Sequence, residues 1–132
     1  MIALDTNVLV RYVVQDDPEQ AAPAARFIED RCTAEEPAFI NGIVLCELVW
    51  VLESVYELTR DEVTSILDRM LRIPAFEIED FDGAMGALRL YRNGTCDFAD
   101  ALIGLKNQRR GCSATATFDR RASRIPEFMI VP

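Results

Sequence analysis

An α/β architecture, with a central short-stranded parallel sheet flanked by helices, is expected of this chain for three reasons. Short apolar runs at residues 2–4, 38–40, 76–78, 113–118 and 128–131 alternate with stretches of helical period, the pattern of βαβ units. Helix-start chemistry precedes the helical stretches, as in Asp17-Pro18 and Thr59-x-x-Glu62. With 132 residues, half of them hydrophobic, the chain has material for a single core, so residues 1–132 are read as one domain.

The first apolar run ends at Asp5 and leads into a short helix over residues 6–14. Asp17 then caps a second helix with Pro18 at its first position, where the missing N–H would have no partner anyway. Its Ala21, Ala25, Ile28 and Cys32 fall along one face. After the strand at 38–40, Asn41-Gly42 turns into a helix around Glu47. Thr59-x-x-Glu62 is a capping box, and Val63, Ile66, Leu67, Met70 and Leu71 behind it keep the i, i+3, i+4 spacing of a buried helix face.

The strand at 76–78 is followed by Asp80 as cap of a helix with Phe81, Ala84, Met85, Leu88 and Tyr91 on one side, ended by Asn93-Gly94. Residues 97–110 form the next helix, stopped by Gly111 where a left-handed residue is wanted. The threonine-rich run at 113–118 and the run at 128–131 are the last strands. Repeats, low-complexity tracts and linkers are absent.

No apolar stretch approaches the roughly 18–20 residues of a membrane span, and no export signal is recognisable, so no membrane partner is expected. Cys32, Cys46, Cys96 and Cys112 are scattered without a C-x-x-C, as suits free thiols in a cytoplasmic protein. The net charge of −8 conceals an asymmetry: residues 1–88 carry 6 basic and 18 acidic side chains, residues 89–124 carry 8 basic and 3 acidic. Those three acids are Asp97, Asp100 and Asp119, set among Arg89, Arg92, Lys106, Arg109, Arg110, Arg120, Arg121 and Arg124. A polyanion can approach from that side; a solvated surface is the plain alternative.

The chain has no histidine, which removes the usual general base and, with unpaired cysteines, the usual zinc ligands. Four carboxylates stand where an open parallel sheet collects ligands, outside the carboxyl ends of its strands. Asp5 ends the first strand, Glu47 follows the second, Asp100 opens a helix and Asp119 follows the strand at 113–118. Each also has an ordinary reading. Asp5 can cap a helix, Asp97 and Asp100 can form a capping arrangement, and Asp119 can stabilise a turn. Asp100, Gly104 and Asn107 share a face, where Gly104 either leaves space or permits close packing. Glu47 lies among nine apolar residues, so burial is expected of it, and a buried carboxylate needs a proton or a partner. Two carboxylates about 5 Å apart repel by roughly 3 kcal/mol at an effective dielectric near 20, a penalty that Mg²⁺ or Mn²⁺ removes. A metal-bound water loses its proton readily, so phosphodiester hydrolysis needs no histidine.

Leu4-Asp5-Thr6-Asn7-Val8-Leu9, Glu47 in an apolar helix, Asp97-Phe98-Ala99-Asp100-Ala101-Leu102-Ile103 and Thr117-Phe118-Asp119 together resemble the PIN-domain ribonucleases, and among them the VapC-type toxins of toxin–antitoxin pairs. The resemblance runs through the whole chain in order and spacing. It implies a PIN fold and a Mg²⁺- or Mn²⁺-dependent endoribonuclease. Asp5, Glu47, Asp100 and Asp119 would be the catalytic, metal-binding quartet, with Asp97 as an auxiliary ligand and Thr6 as a polar support. It further implies an RNA substrate, a cognate antitoxin and a homodimer. Arg109, Arg110, Arg120 and Arg121 are candidates for phosphate contacts, and Arg109 and Arg110 equally suit a helix C-terminus.

Other readings fit less well. A haloacid-dehalogenase-type phosphatase needs an aspartate where Asn7 stands, and a receiver domain needs a lysine in a late loop, whereas Lys106 lies inside a helix. A PIN-like module that binds protein or RNA without cutting it is the strongest rival, and the intact acids argue against it.

Overall fold

Residues 2–3, 38–40 and 76–78 pair side by side in parallel, as β1 (Ile2–Ala3), β2 (Ala38–Ile40) and β3 (Phe76–Ile78), in the order β1-β2-β3. The register sets Ile2 beside Ala38, and Ala38 beside Phe76. The computed structural model describes residues 1–94 and 96–132, and these divide into two compact units, Met1–Phe81 and Asp82–Pro132.

In the first unit, α1 (Thr6–Val14) and α2 (Pro18–Arg31) connect β1 to β2, and α3 (Gly42–Ser54) and α4 (Arg60–Leu71) connect β2 to β3. Local chemistry fixes these helices. The Asp17 carboxylate accepts from Glu19 N, and both halves of the Thr59/Glu62 capping box are formed. Pro23 lies inside α2, where its ring removes one helical hydrogen bond. The core comprises Leu9 and Val10 of α1, Ile28 of α2, Leu45, Leu48 and Leu52 of α3, and Val63, Leu67 and Met70 of α4, all buried. Tyr12 meets Phe76 edge to face, with centroids 5.9 Å apart. Because all three strands run the same way, Asp5, Asn41 and Glu79 follow their carboxyl ends at one edge of this sheet.

The second unit contains most of α5 (Phe81–Arg92), all of α6 (Phe98–Arg109), and a parallel pair of strands, β4 (Thr115–Thr117) and β5 (Phe128–Ile130). A short 3-10 turn, Ala122–Arg124, lies between the two strands in sequence. Tyr91 and Phe98, both fully buried, meet edge to face at 6.3 Å. Gly94 and Gly111 take the left-handed backbone expected of helix stops, at φ +78° and +103°.

Three details depart from the sequence reading. The five strands pair as a group of three and a group of two. The strand expected at 113–118 is confined to 115–117, because Asp119 N turns back to donate to Thr117 Oγ1 and leaves Phe118 82% exposed. Asp80 takes a left-handed backbone, φ +53°, instead of the extended one a helix cap usually has; the short polar side chain of aspartate tolerates it.

Candidate active site

In the first unit, the chain leaves β1 through Leu4, whose N–H donates to Phe39 O, and reaches Asp5 in extended backbone at the N-cap of α1. The Asp5 carboxylate accepts from Thr6 N at 2.7 Å. The buried Thr6 hydroxyl then donates to Glu47 Oε1 at 2.9 Å, across 41 residues of sequence. A backbone bond therefore holds one carboxylate and a side-chain bond holds the other, from adjacent groups at the start of one helix. The N-terminal end of a helix favours negative charge nearby.

Burial of Glu47 is corrected by the structure. Its side chain lies on the exposed stripe of α3 with Ile43, 73% exposed, and Trp50, 65% exposed. An apolar sequence on every side of a helix says nothing about which face is covered. Here Leu45, Leu48 and Leu52 are covered and the Ile43–Glu47–Trp50 side is left to solvent. Glu47 is thus an accessible carboxylate, anchored through one oxygen.

The position of α3 rests on two acceptors at its start. Asn41 Oδ1 accepts from Val44 N at 2.9 Å, and Glu79 Oε1 accepts from Gly42 N at 2.7 Å. Glu79 escaped the sequence reading, although a signal was present: it follows β3 as Asp5 follows β1.

In the second unit, Asp97 occupies the N-cap of α6 without making a side-chain cap bond. Asp100 sits in the first turn, half-buried, and its carboxyl is held above the usual aspartate range. Loss of water is the largest cause, and the negative charges of Asp97 and then Asp119 add to it. Asp119 performs the turn role open to it, with Oδ1 accepting from Arg121 N at 2.8 Å. The face shared by Asp100, Gly104 and Asn107 is a packing face beyond Asp100. A Cβ on Gly104 would stand 2.6 Å from Phe128 Cε2, and Asn107 Nδ2 donates to Thr115 Oγ1 at 2.9 Å. Arg109, Arg110, Arg120 and Arg121 are all exposed.

The structure therefore brings Asp5, Thr6 and Glu47 together in one unit, and groups Asp100 electrostatically with Asp97 and Asp119 in the other. Among the described residues, no group of three or more His, Cys, Asp or Glu side chains is close enough to hold a metal ion by itself. The donor chemistry nevertheless fits a hard divalent cation: every candidate ligand is a carboxylate, and Asp100 carries a repulsion that a cation relieves. Mg²⁺ needs only one or two carboxylates beside water and substrate phosphates, so a closed protein cage is not required. No helix among the described residues is long and apolar enough to cross a membrane, and all four cysteines are free thiols.

Parallel α/β topology with carboxylates after strand ends and in the first turn of a helix defines the class. The chain belongs to the PIN domain family, whose sequence profile matches residues 2–128. It is similar to the VapC ribonuclease of Aquifex aeolicus (strain VF5), at 26% identity over 125 residues, covering 95% of this chain and 92% of that protein.

Proposed function

We propose that the chain is a Mg²⁺- or Mn²⁺-dependent endoribonuclease, one PIN domain across residues 1–132, acting as the toxin of a toxin–antitoxin pair. In this reading it is cytoplasmic, forms a homodimer and is restrained by a cognate antitoxin protein. The observation that carries the reading is the Thr6–Glu47 hydrogen bond. It holds an exposed acid of α3 to the helix start where Asp5 stands, so two carboxylates are kept at one helix N-terminus. The family match and the likeness to a VapC ribonuclease support the reaction class.

In this reading the catalytic, metal-binding acids are Asp5 and Glu47 of the first unit and Asp100 and Asp119 of the second, with Asp97 as auxiliary. When bound, the ion neutralises phosphate charge and makes a water nucleophilic near neutral pH. Thr6 fixes Glu47 through Oε1 and leaves Oε2 for the ligand side. Thr6 N does the same for Asp5 through one carboxylate oxygen. Asp100, crowded by Asp97 and Asp119, is the acid with most to gain from a cation or a proton.

The test is incubation with structured RNAs, with and without Mg²⁺ or Mn²⁺, beside Asp5→Asn and Asp100→Asn variants. Metal-dependent cleavage lost in both variants is expected. Cleavage that persists without metal or in both variants overturns the mechanism. RNA binding without cleavage under any condition establishes the non-cutting module instead.

A further inference from the structure

Beyond Asp119 the chain builds a cavity of about 540 Å³ lined by Arg120, Ser123, Arg124, Ile130, Val131 and Pro132. Its two cations, Arg120 and Arg124, face the same cavity. Among the described residues, neither Arg120 nor Arg124 has an ion-pair partner, and no carboxylate side chain lines the cavity. The wall is rigidly made. Ser123 Oγ donates to Arg120 O at 2.8 Å, Ser123 N to Asp119 O at 3.1 Å, and Val131 N to Thr117 O at 2.8 Å. The residue after β5 is thereby tied to the end of β4, and the 3-10 turn to Asp119 and Arg120, which follow that strand. Ile130 and Val131 supply the apolar side.

We propose that this cavity is a nucleotide subsite for single-stranded RNA, with a backbone phosphate between Arg120 and Arg124 and the sugar or base against Ile130 and Val131. The assignment rests on the ribonuclease reading above and deepens it. A cavity of this volume admits one nucleotide unit. Two unpaired guanidiniums suit a phosphodiester, which they contact through paired N–H donors. Asp119 immediately precedes Arg120, so a phosphate held there lies next along the chain to a proposed catalytic acid. Arg121, by contrast, is no part of the lining, and its backbone N–H is taken by Asp119. The structure thus selects Arg120 and Arg124 from the eight cations of the basic segment.

The test is fluorescence anisotropy of a labelled ten-nucleotide single-stranded RNA, in EDTA to prevent cleavage, titrated between 50 and 200 mM KCl. Arg120→Ala, Arg124→Ala, the double variant and the control Arg26→Ala are compared with wild type, each first checked for an unchanged thermal transition. Each pocket variant should lower the slope of log affinity against log salt by about 0.7, and the double variant by about 1.4, as for one and two phosphate contacts to a single strand. Arg26→Ala should leave it unchanged. A wild-type slope in the double variant overturns the subsite. So does full displacement of the RNA by inorganic phosphate at matched ionic strength, which would mark a free-phosphate site. An acidic peptide that needs both arginines, where RNA needs neither, also overturns it by marking a protein-docking site. Cleavage is scored separately. Active enzyme with an unchanged slope removes the subsite alone, whereas arginine-dependent binding without cleavage removes the nuclease reading alone.

Discussion

Thr6 and Glu47 are joined by a 2.9 Å hydrogen bond between two helices, one end of it buried and the other open to solvent. The hydroxyl acts on the acid alone, so its removal separates orientation from charge. Thr6→Val, close to isosteric, should lower metal-dependent RNA cleavage by about 10- to 100-fold, the range for residues that orient metal ligands. Thr6→Ser should restore most of it. Cleavage assays at varied Mg²⁺ concentration decide the matter: the loss should shrink as Mg²⁺ rises. Full activity in Thr6→Val would remove Thr6 from the site.

Asp100 sets function against stability. Its pKa is raised in the fold, by burial first and by Asp97 and Asp119 next. For an acid with a raised folded pKa, the favourable contribution is fully present below the unfolded value and is lost as pH rises through the folded value. At neutral pH without metal the ionised group therefore works against folding. Asp100→Asn should raise the melting temperature in EDTA while lowering cleavage by about 100-fold or more. Mg²⁺ should raise the melting temperature of wild type and do so much less for Asp100→Asn, because a ligand that binds only the folded state stabilises it. Calorimetry with and without the ion reads both effects.

Gly104 is required by the proximity of β5. A methyl group there would stand 2.6 Å from Phe128 Cε2 and 3.1 Å from Glu127 Cβ. The ring cannot retreat freely, since Phe128 is buried and paired in register with Thr115. Gly104→Ala should destabilise by about 1–3 kcal/mol and lower the melting temperature by roughly 5–15 °C. An unchanged melting curve would show that β5 yields.

The Thr59/Glu62 capping box gives a prediction remote from the site. Thr59→Ala should cost about 1 kcal/mol in chemical denaturation. The Glu62 carboxyl is held below its usual range, chiefly by the N–H of Thr59 and then by its side chain. A lowered folded pKa gives stability that is present above the unfolded pKa and lost as pH falls through the folded one. Stability should therefore decline less on acidification in Glu62→Gln than in wild type.

The sequence was most readable where the chemistry is local. Asp17, Asn41, Thr59, Gly94 and Gly111 act within one turn of their own position, and each helix boundary they mark is found. Readability failed where the deciding partner is distant. Glu47 is flanked by apolar residues in both directions, and only the packing of α3 reveals that its stripe is the uncovered one. Gly104 gave two equal readings until Phe128 was placed against it. Asp97 has the position of a cap without the bond, since position is encoded locally and the use of the carboxylate is not. Glu79 acts on α3 from the end of the neighbouring strand β3, a relation that only strand order discloses. The acids themselves were visible as types; their hydrogen-bond commitments were not.

Trp50 lies one helical turn from Glu47 and is the chain's single tryptophan. Its wet indole gives the protein an intrinsic optical gauge. Any macromolecule settling over that acid must dehydrate the ring and shift its emission to the blue, so occupancy of this surface can be followed in real time without a label.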